Sequence, residues 1–576
     1  MPRACSRLAR TLILGATWSL ATAAPAASAT SPALRHFASP EHEFLGARVF
    51  LSMPDGSRRR GDRAMLLDVE TPDHGTIALS YADLLYLGAD YFGVAYAQIA
   101  GDTPFDMLAA RPQAAEATAR VNMRRNLLSF AYRGHAAYLA RVRELERGLR
   151  QRLREARAGN RPLAYTPADD CAFMLATGAD ACVLGAGDLL HLRDYLGQYL
   201  ELAARSNDHF HQAAQTAFLL GVKMALEQAL HARDAQDLRF AYVLAAYAGH
   251  FGSDAFAAGH IRTDKRAINA YCAPQLAHYG FTGWSSLLLS GVLVKTMHDR
   301  DNAQGIVVTG RDAGRWHAFG DNFLPLRDND PNMERAVAAL QFAVDSIHAA
   351  YRRRDRRDAH ACIAETLRQL TRRLPDLAAT AADTTHNPPP LFQAQGAGML
   401  WNDPELGARP LDCAQAVRHY VGALGGLGAQ AAGQLGTMLG AAAPEVRRAA
   451  PAARRSIDVT IERASWPGAG PLVCEWARRD HGDFPATTGA FGARATAHLE
   501  SNGIGTGAEA DLYCLVLAPD LRSTTCQFTE HFDNPFIGGD KHHRVAEQGA
   551  CRVDVDDRGR GDHWRPRIRI SQDSAP

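Results

Sequence analysis

The stretch from Gly249 to His260 places two histidines and an aspartate among small and apolar residues. His250 and Asp254 are four residues apart, so their side chains point to the same side of a helix. His260 follows between one and two turns later, beyond a glycine. Two imidazoles and a carboxylate that converge in this way are a plausible ligand set for zinc. The pattern predicts a helical metal site, although three such residues also occur by chance on amphipathic helices.

The N-terminus has the features of a secretory signal peptide. Arginines at positions 3, 7 and 10 precede an apolar run over residues 11–21, which is too short to span a bilayer comfortably. Ala27-Ser28-Ala29 is an A-x-A-like cleavage site. We therefore predict a signal peptide over residues 1–29 and a secreted or periplasmic mature protein that begins at Thr30.

The cysteines and the net charge narrow the class of protein. An exported protein meets oxidising conditions, so we expect its cysteines to form disulfides. Cys171 and Cys182 are close enough in sequence to close a small loop, and the four cysteines from Cys474 onward can staple the last domain. The absence of a Cys-x-x-Cys pair argues against a thiolate zinc site. The net charge of +1 argues against a broad nucleic-acid-binding face.

Sequence patterns divide the predicted mature chain into three parts. Residues 30–378 carry long helical patterns and are predicted to form a mainly α domain. Residues 379–410 contain Asn387-Pro388-Pro389-Pro390 and are predicted to be a linker. Residues 411–576 begin with a Gly- and Ala-rich helical segment, in which residues 421–443 are not expected to span a membrane. Alternating strand patterns follow, and they predict a β-sandwich-like module.

The stretch 249–260 resembles the signature helix of the bacterial zinc-dependent phospholipase C family, whose fold is related to that of the S1/P1 nucleases. Further segments resemble that family and occur in the family's order: Pro40-Glu41-His42, residues 79–93 with Asp90, Asn207-Asp208-His209-Phe210, and residues 297–302 followed by Trp316 and Gly320-Asp321. The resemblance covers about residues 40–325. It implies a mainly α catalytic domain with the phospholipase C/P1 nuclease-like fold.

The resemblance also implies three zinc ions and their ligands. The first zinc would be bound by Asp90, His209, His250 and Asp254. The second would be bound by His42, Asp254 and the mature N-terminal amine, although the family's N-terminal tryptophan is absent from this chain. The third would be bound by His260, His298 and an acidic neighbour. Asp254 would then bridge two metal ions through its two oxygens.

The acidic neighbour of His298 is the point at which the chain departs from the family pattern. Compact members of the family have a glutamate four residues after this histidine, whereas this chain has Asn302, a poor zinc ligand. We therefore expect Asp301 to complete the third site, with Asp299 as the alternative. We also expect the third metal ion to be bound more weakly than the others.

The activity that the resemblance implies is hydrolysis of phospholipids on the glycerol side of the phosphate, with peripheral contact to a membrane. Asp90 and Asp254 are the expected catalytic residues, and Arg262 and Lys265 are the expected substrate-binding residues. Two alternatives stay open: a nuclease or nucleotidase on the same metal scaffold, and a non-catalytic secreted zinc-binding protein. No nucleic-acid partner is expected, and no protein partner is evident from the sequence.

Overall fold

The computed structural model describes the chain from residue 40 to residue 572 with internal gaps. The described residues are 40–71, 75–95, 97–101, 113–131, 135–178, 199, 202–279, 281, 284–312, 314–353, 359–395, 398–403, 407–410, 412–420, 455–466, 469–470, 472–477, 484–488, 493–500, 507–518, 524–535, 539–549, 551–557, 561 and 563–572. The predicted signal peptide, the mature N-terminal amine, the segment 421–443 and Cys182 lie outside these residues.

Helices dominate the described part of the chain up to residue 420. They are α1 (Pro40–Gly46), α2 (Tyr81–Leu87), α3 (Gln113–Ala131), α4 (Ala136–Ala158), α5 (Pro167–Ala176), α6 (His211–Leu230), α7 (Ala235–Asp254), α8 (Ala258–Arg262), α9 (Lys265–His278), α10 (Trp284–Gln304), α11 (Asp330–Arg353), α12 (Ala359–Arg373), α13 (Leu377–Ala382) and α14 (Cys413–Tyr420). The 3-10 turns Asp321–Phe323 and Arg327–Asn329 precede α11. The prediction of a mainly α region is confirmed.

Short hairpins interrupt the helices, and longer strands follow residue 455. The hairpin strands are β1 (Phe50–Ser52), β2 (Arg58–Arg60), β3 (Met65–Glu70), β4 (Thr76–Ser80), β5 (Ile306–Gly310), β6 (Gly314–Ala318), β7 (Phe392–Gln395), β8 (Gly398–Asp403) and β9 (Gly407–Pro410). The later strands are β10 (Ser456–Arg463), β11 (Leu472–Ala477), β12 (Phe484–Thr488), β13 (Arg494–Glu500), β14 (Ala508–Leu517), β15 (Thr524–Asn534), β16 (Lys541–Gly549), β17 (Cys551–Asp556), β18 (His563–Trp564) and β19 (Arg567–Gln572).

Helices α6 and α7 pack against each other at the centre of the helical region. They approach closely because small residues meet at their contact: a Cβ on Gly221 would lie 2.3 Å from the Cβ of Ala248. The carboxylate of Asp234 caps the start of α7 by accepting hydrogen bonds from its first turn. The last turn of α7 carries His250 and Asp254 into the interior, where both are buried. The helix predicted from the sequence thus exists and points its polar residues inward.

The strands after residue 455 form two sheets. One sheet has the order β12-β13-β10-β19-β17, with β18 beside β10, and the other has the order β11-β14-β15-β16. Alternate residues of each strand face one side of a sheet. Ile457, Val459 and Ile461 of β10 share a buried core with Leu512 and Cys514 of β14. Both sheets therefore bury one face in a common core.

The helical region extends beyond the boundary expected at residue 378. The predicted linker 379–410 contains the end of α13 and the strands β7, β8 and β9. Leu391, just after the proline run, and Val417 of α14 are buried in the same hydrophobic core as the long helices. Apolar residues on both sides of the prolines pack onto the helical region, so this part of the chain is folded rather than a spacer.

Three disulfides join cysteines within the described residues. They link Cys272 to Cys413, Cys474 to Cys514, and Cys526 to Cys551. Cys171 is also disulfide-bonded. Disulfides of this kind persist in oxidising surroundings, in agreement with the expected environment of an exported protein. Among the described helices, none has the length and apolar character needed to cross a membrane.

Replacing Cys413 by serine should destabilise the helical region. The Cys272–Cys413 bond closes a segment of 141 residues, and a cross-link over such a loop contributes about 3–5 kcal/mol to the free energy of unfolding. We expect a loss of this size in denaturant titrations followed by helical circular dichroism. The matched variant Cys474→Ser breaks a bond in the β core and should leave the helical transition unchanged. An equal effect of both variants on that transition would contradict this division.

Candidate metal centre

Asp254 is the central side chain of a buried polar cluster. Its Oδ1 lies 3.6 Å from Nε2 of His42 and 3.7 Å from Nε2 of His260. Its Oδ2 lies 3.0 Å from Nδ1 of His209 and 3.5 Å from Nε2 of His250. The Asp254 side chain is only 1% exposed. A buried carboxylate is costly unless it is paired or bound to metal, so Asp254 and the four imidazoles form one unit.

Three sets of ligand atoms in this cluster are close enough to hold a metal ion each. Within each set the atoms lie within 4.8 Å of one another. The sets are His42, His250 and Asp254; Asp90, His209 and His250; and His260, His298 and Asp321. All the side-chain ligands predicted from the sequence except Asp301 are members of a set. These nitrogen and oxygen donors are compatible with several zinc sites.

Hydrogen bonds on the outer side of the rings determine which nitrogen faces the cluster. Nδ1 of His250 donates to the backbone oxygen of Leu85 at 2.9 Å, and Nδ1 of His260 donates to the backbone oxygen of His209 at 2.7 Å. A carbonyl oxygen only accepts, so in the neutral rings Nδ1 carries the hydrogen and Nε2 keeps a lone pair. Metal-binding histidines typically have this arrangement, in which the second nitrogen donates to a neighbouring oxygen.

Ser253 orients His42 in the same way. Its Oγ donates to the backbone oxygen of His250 at 2.7 Å and lies 2.7 Å from Nδ1 of His42. With its single hydrogen donated to that backbone oxygen, Oγ accepts from Nδ1 of His42. Nε2 of His42 is therefore left with a lone pair that faces Asp254. The residue next to the central carboxylate on α7 thus also positions one of its imidazoles.

The third set joins α8, α10 and a 3-10 turn. Nε2 of His298 lies 3.0 Å from Nε2 of His260 and 3.4 Å from Oδ2 of Asp321. Nδ1 of His298 donates to Asp299 at 2.9 Å, and the other oxygen of Asp299 pairs with Lys295 at 2.6 Å. Asp299, the alternative ligand from the sequence, therefore orients His298 from its outer side.

Asp301 does not join the third set, and Asp321 takes the place expected for it. Oδ2 of Asp301 lies 3.2 Å from Nε of Arg262, and both side chains are almost fully buried. Arg262 follows His260 by two residues on α8, so it reaches Asp301 on α10 while His260 reaches His298. The spacing along α10 was a poor guide because the carboxylate comes from a turn that is distant in sequence.

The two residues predicted to hold a phosphate have protein partners instead. Arg262 pairs with Asp301 and donates from Nη1 to a backbone oxygen at 3.1 Å. Lys265 is buried, and its Nζ donates to two backbone oxygens at 2.6 and 2.7 Å. Burial also lowers the pKa of Lys265 to about 7. The basic pair therefore fastens the chain around α8 to neighbouring segments.

Asn302 faces the metal-binding nitrogen of His298. Its Oδ1 accepts a hydrogen bond from the backbone N–H of Gly259 at 2.6 Å, and this contact turns Nδ2 toward Nε2 of His298, 3.1 Å away. A cation on that nitrogen must displace the Asn302 hydrogen bond. This competition is a physical reason for the expected weaker binding at the third site.

Unusual backbone conformations position two of the carboxylates. Asp321 has a φ of 43°, and Ala89, directly before Asp90, has a φ of 64°. Residues other than glycine rarely adopt these angles, which cost roughly 1–3 kcal/mol and persist mainly at functional sites.

Gly259 permits a close approach of α8 to α10. A Cβ there would lie 2.4 Å from the backbone oxygen of His298, so only glycine lets α8 contact α10 at this point.

Burial and opposite charges shift the pKa values of the centre. Burial alone would raise the pKa of Asp90, but the imidazoles around it, His250 foremost, lower it to about 2. Burial alone would lower the pKa of His250, but Asp90 and Asp254 raise it to about 9. Metal binding requires neutral imidazole and ionised carboxylate. A cation therefore replaces a proton on His250, and its binding weakens as the pH falls.

Glu41 is a member of the centre that sequence reasoning missed. Its carboxyl group is buried and hydrogen-bonded to that of Asp321, and burial together with the charge of Asp321 raises the pKa of Glu41 well above its usual value. Burial also raises the pKa of Asp321 to about 6. The signal available in the sequence was the position of Glu41 directly before His42. A cation bound by Asp321 would also relieve the repulsion between these two acids.

Asp254→Asn should remove more metal than any substitution of Asp301. Asp254 contacts imidazoles from all three sets, so its loss should lower the metal content by more than one ion per chain. Asp301→Asn should preserve the metal content but destabilise the protein by about 3 kcal/mol, because it leaves the buried Arg262 charge without its partner. Elemental analysis and denaturant titration of both variants test this. Full metal content in Asp254→Asn would show that the cluster is not a metal centre.

Asn302→Asp should tighten the third metal ion. The new carboxylate can keep one oxygen on the backbone N–H of Gly259 and turn the other toward His298. A competing donor is replaced by a ligand, so we expect at least a tenfold gain in affinity, or about 1.4 kcal/mol, in chelator competition. Asn387→Asp is the control, because Asn387 makes similar backbone hydrogen bonds at Val307, away from the cluster. Unchanged or weaker affinity in Asn302→Asp would contradict the proposed competition.

Comparisons with known proteins identify no family for this chain. No protein-family model matches it, and no curated protein sequence is significantly similar. The functional interpretation therefore depends on the geometry and chemistry of the metal centre, together with the order of the sequence segments that form it.

Proposed function

We propose that this protein is a secreted zinc-dependent phosphodiesterase of the phospholipase C type, with three zinc ions in a phospholipase C/P1 nuclease-like helical domain. The observation that carries the proposal is the buried Asp254 carboxylate, which lies among four imidazoles and next to three sets of metal ligands. Closely spaced metal ions are well suited to cleaving phosphate esters. The choice of a phospholipid rests on the resemblance over residues 40–325.

The donor types favour zinc over other common metal ions. Imidazole ligands outnumber carboxylate ligands in the three sets, a balance that suits zinc, whereas magnesium and calcium prefer oxygen ligands. His250 belongs to two of the sets, but its Nε2 has a single lone pair, so His250 would bind the ion of only one of them at a time. When bound, zinc would supply an activated water molecule and shield the charge of the phosphoryl oxygens.

Asp90 is the ligand best placed to act on the attacking water. Its side chain is 23% exposed, whereas those of the other members of the three sets are at most 8% exposed. Its Oδ1 lies 3.6 Å from Nε2 of His250, and its Oδ2 lies 3.8 Å from Nε2 of His42. The Asp90 carboxylate thus faces the ligand nitrogens and also reaches solvent, so it can orient a water molecule toward a phosphate.

Asp254 has a different role from Asp90. Both of its oxygens face imidazoles, and its side chain is closed off from solvent. Burial alone would raise the pKa of Asp254, but the surrounding imidazoles, His260 and His250 foremost, hold it well below its usual value. Asp254 therefore stays ionised and would supply a carboxylate to the metal ions, while Asp90 would contact the reacting water.

Activity should depend on zinc and on Asp90. Chelation should abolish the release of diacylglycerol and phosphorylated head group from phosphatidylcholine or phosphatidylglycerol, and added zinc should restore it. Asp90→Asn should lower kcat by about 10²–10⁴-fold through loss of a positioned carboxylate. Asp264→Asn, a change in a half-exposed residue next to Lys265, is the control and should retain activity.

The same assay separates the proposal from its rivals. Cleavage of single-stranded DNA without release of diacylglycerol would replace the phospholipase by a nuclease on the same scaffold. Bound zinc without turnover of any phosphodiester would support a non-catalytic zinc-binding protein. Full activity in protein that elemental analysis shows to be metal-free would refute the metal-dependent mechanism itself.

A further inference from the structure

The hairpins that follow α1 combine exposed apolar side chains with clustered arginines. Phe50 is 40% exposed and Met65 is 43% exposed. They are two of the four large hydrophobic side chains that are exposed among the described residues. Between them, residues 55–63 contain four arginines and two aspartates, a net charge of +2 in a chain whose total is +1. An apolar and basic surface is thus concentrated in a short part of the chain.

The register of the first hairpin places Phe50 and two arginines on one face. Phe50 pairs with Arg60, and Ser52 pairs with Arg58. Residues that are paired across strands, and residues two apart along a strand, share a face of the hairpin. The Arg58 guanidinium lies 5.2 Å from the centre of the Phe50 ring. Leu51, on the other face, is buried, so the Phe50 face is the one turned outward.

The arginines of this segment are available to an anionic partner. Arg59 and Arg60 form ion pairs with Asp55 at 2.9 Å and Asp62 at 3.2 Å, and both arginine side chains are more than 40% exposed. Exposed ion pairs contribute little to stability, so phosphate groups can replace the aspartates at small cost. Arg58 and Arg63 add positive charge. Neither forms an ion pair with an aspartate or glutamate among the described residues.

We propose that the outward face of the first hairpin, formed by Phe50, Arg58 and Arg60, together with the exposed Arg63 and Met65 that follow it in the chain, docks the protein onto an anionic phospholipid surface. Basic side chains favour a negatively charged leaflet, and exposed aromatic and apolar side chains enter its interface. The inference rests on the proposed function, because a phospholipase must contact the lipid surface that holds its substrate.

The position of the docking surface in the chain supports this role. Phe50 is eight residues from His42, so chain geometry keeps the two within about 28 Å of each other. The same hairpins lead into α2 and Asp90, the most solvent-accessible ligand. Docking here therefore holds the metal centre close to the membrane. The docking surface contains no metal ligand, so it can be altered without changing the centre.

Co-sedimentation of the full mature chain with vesicles tests the proposal. The zinc-loaded protein should bind vesicles of phosphatidylcholine mixed with phosphatidylglycerol, and bind those of phosphatidylcholine alone more weakly. Phe50→Ala should weaken binding about tenfold through lost apolar burial. The double variant Arg58→Gln/Arg63→Gln should weaken it about 25-fold, or about fivefold per arginine, and reduce its salt dependence. Matched controls are Val545→Ser, 51% exposed, and Arg552→Gln, 70% exposed, in the β region; they should bind as wild type.

The outcomes separate the docking surface from the proposed function. Selective loss of binding in the Phe50 and arginine variants supports the docking surface. It does so even if the wild type releases no diacylglycerol, because that result counts only against the phospholipase assignment. Wild-type binding by those variants overturns the surface. So does equal binding to both vesicle types, or a preference for single-stranded DNA over vesicles. Unchanged release of a soluble short-chain substrate in all variants verifies that the metal centre is intact.

Discussion

The contact of one buried carboxylate with four imidazoles is the interaction on which the helical region depends. The rings come from α1, from the segment before α6, from α7 and from α8, so Asp254 fixes the relative positions of four parts of the chain. A charge buried to this degree is tolerated only if its surroundings compensate for it completely. The helices must therefore meet in one arrangement, and a small displacement of any of them exposes or unpairs Asp254. Metal ligation and folding are linked through the same atoms.

The last turn of α7 combines several functions in few residues. His250 and Asp254 face the cluster, and Ser253 orients the ring of His42. Two glycines of α7 allow the neighbouring side chains to pack closely against this turn. A Cβ on Gly249 would lie 2.9 Å from Cδ1 of Leu85, and one on Gly252 would lie 2.8 Å from the Phe218 ring. Leu85 in turn accepts from His250. The close packing of Leu85 against α7 therefore also orients the ring of His250.

The sequence predicted the centre well where its ligands lie on one regular element or in a family-like order. His250 and Asp254 follow from helical spacing alone. Asp321 lies in one of the family-like segments, but helical spacing favoured Asp301, because spacing along α10 does not show that a turn beyond that helix reaches His298. The protein partners of Arg262 and Lys265 were also not predictable, since nothing in a basic run shows that buried carboxylate and carbonyl oxygens will pair with it. The partners of these residues are set by tertiary contacts, which a local sequence pattern does not reveal.

The helical core and the β core of the chain contain different kinds of residues. Among the described residues, every candidate metal ligand lies in the helical region, where Cys272–Cys413 spans the proline run, while Cys474–Cys514 and Cys526–Cys551 lie in the β core. The β core therefore contributes no ligand to the chemistry. The proposed lipid contact at the hairpins after α1 would lie instead in the helical region, which contains the candidate metal ligands. Attachment at those hairpins would keep His42 within about 28 Å of the docking surface, because no change in the β core alters the short chain between His42 and Phe50.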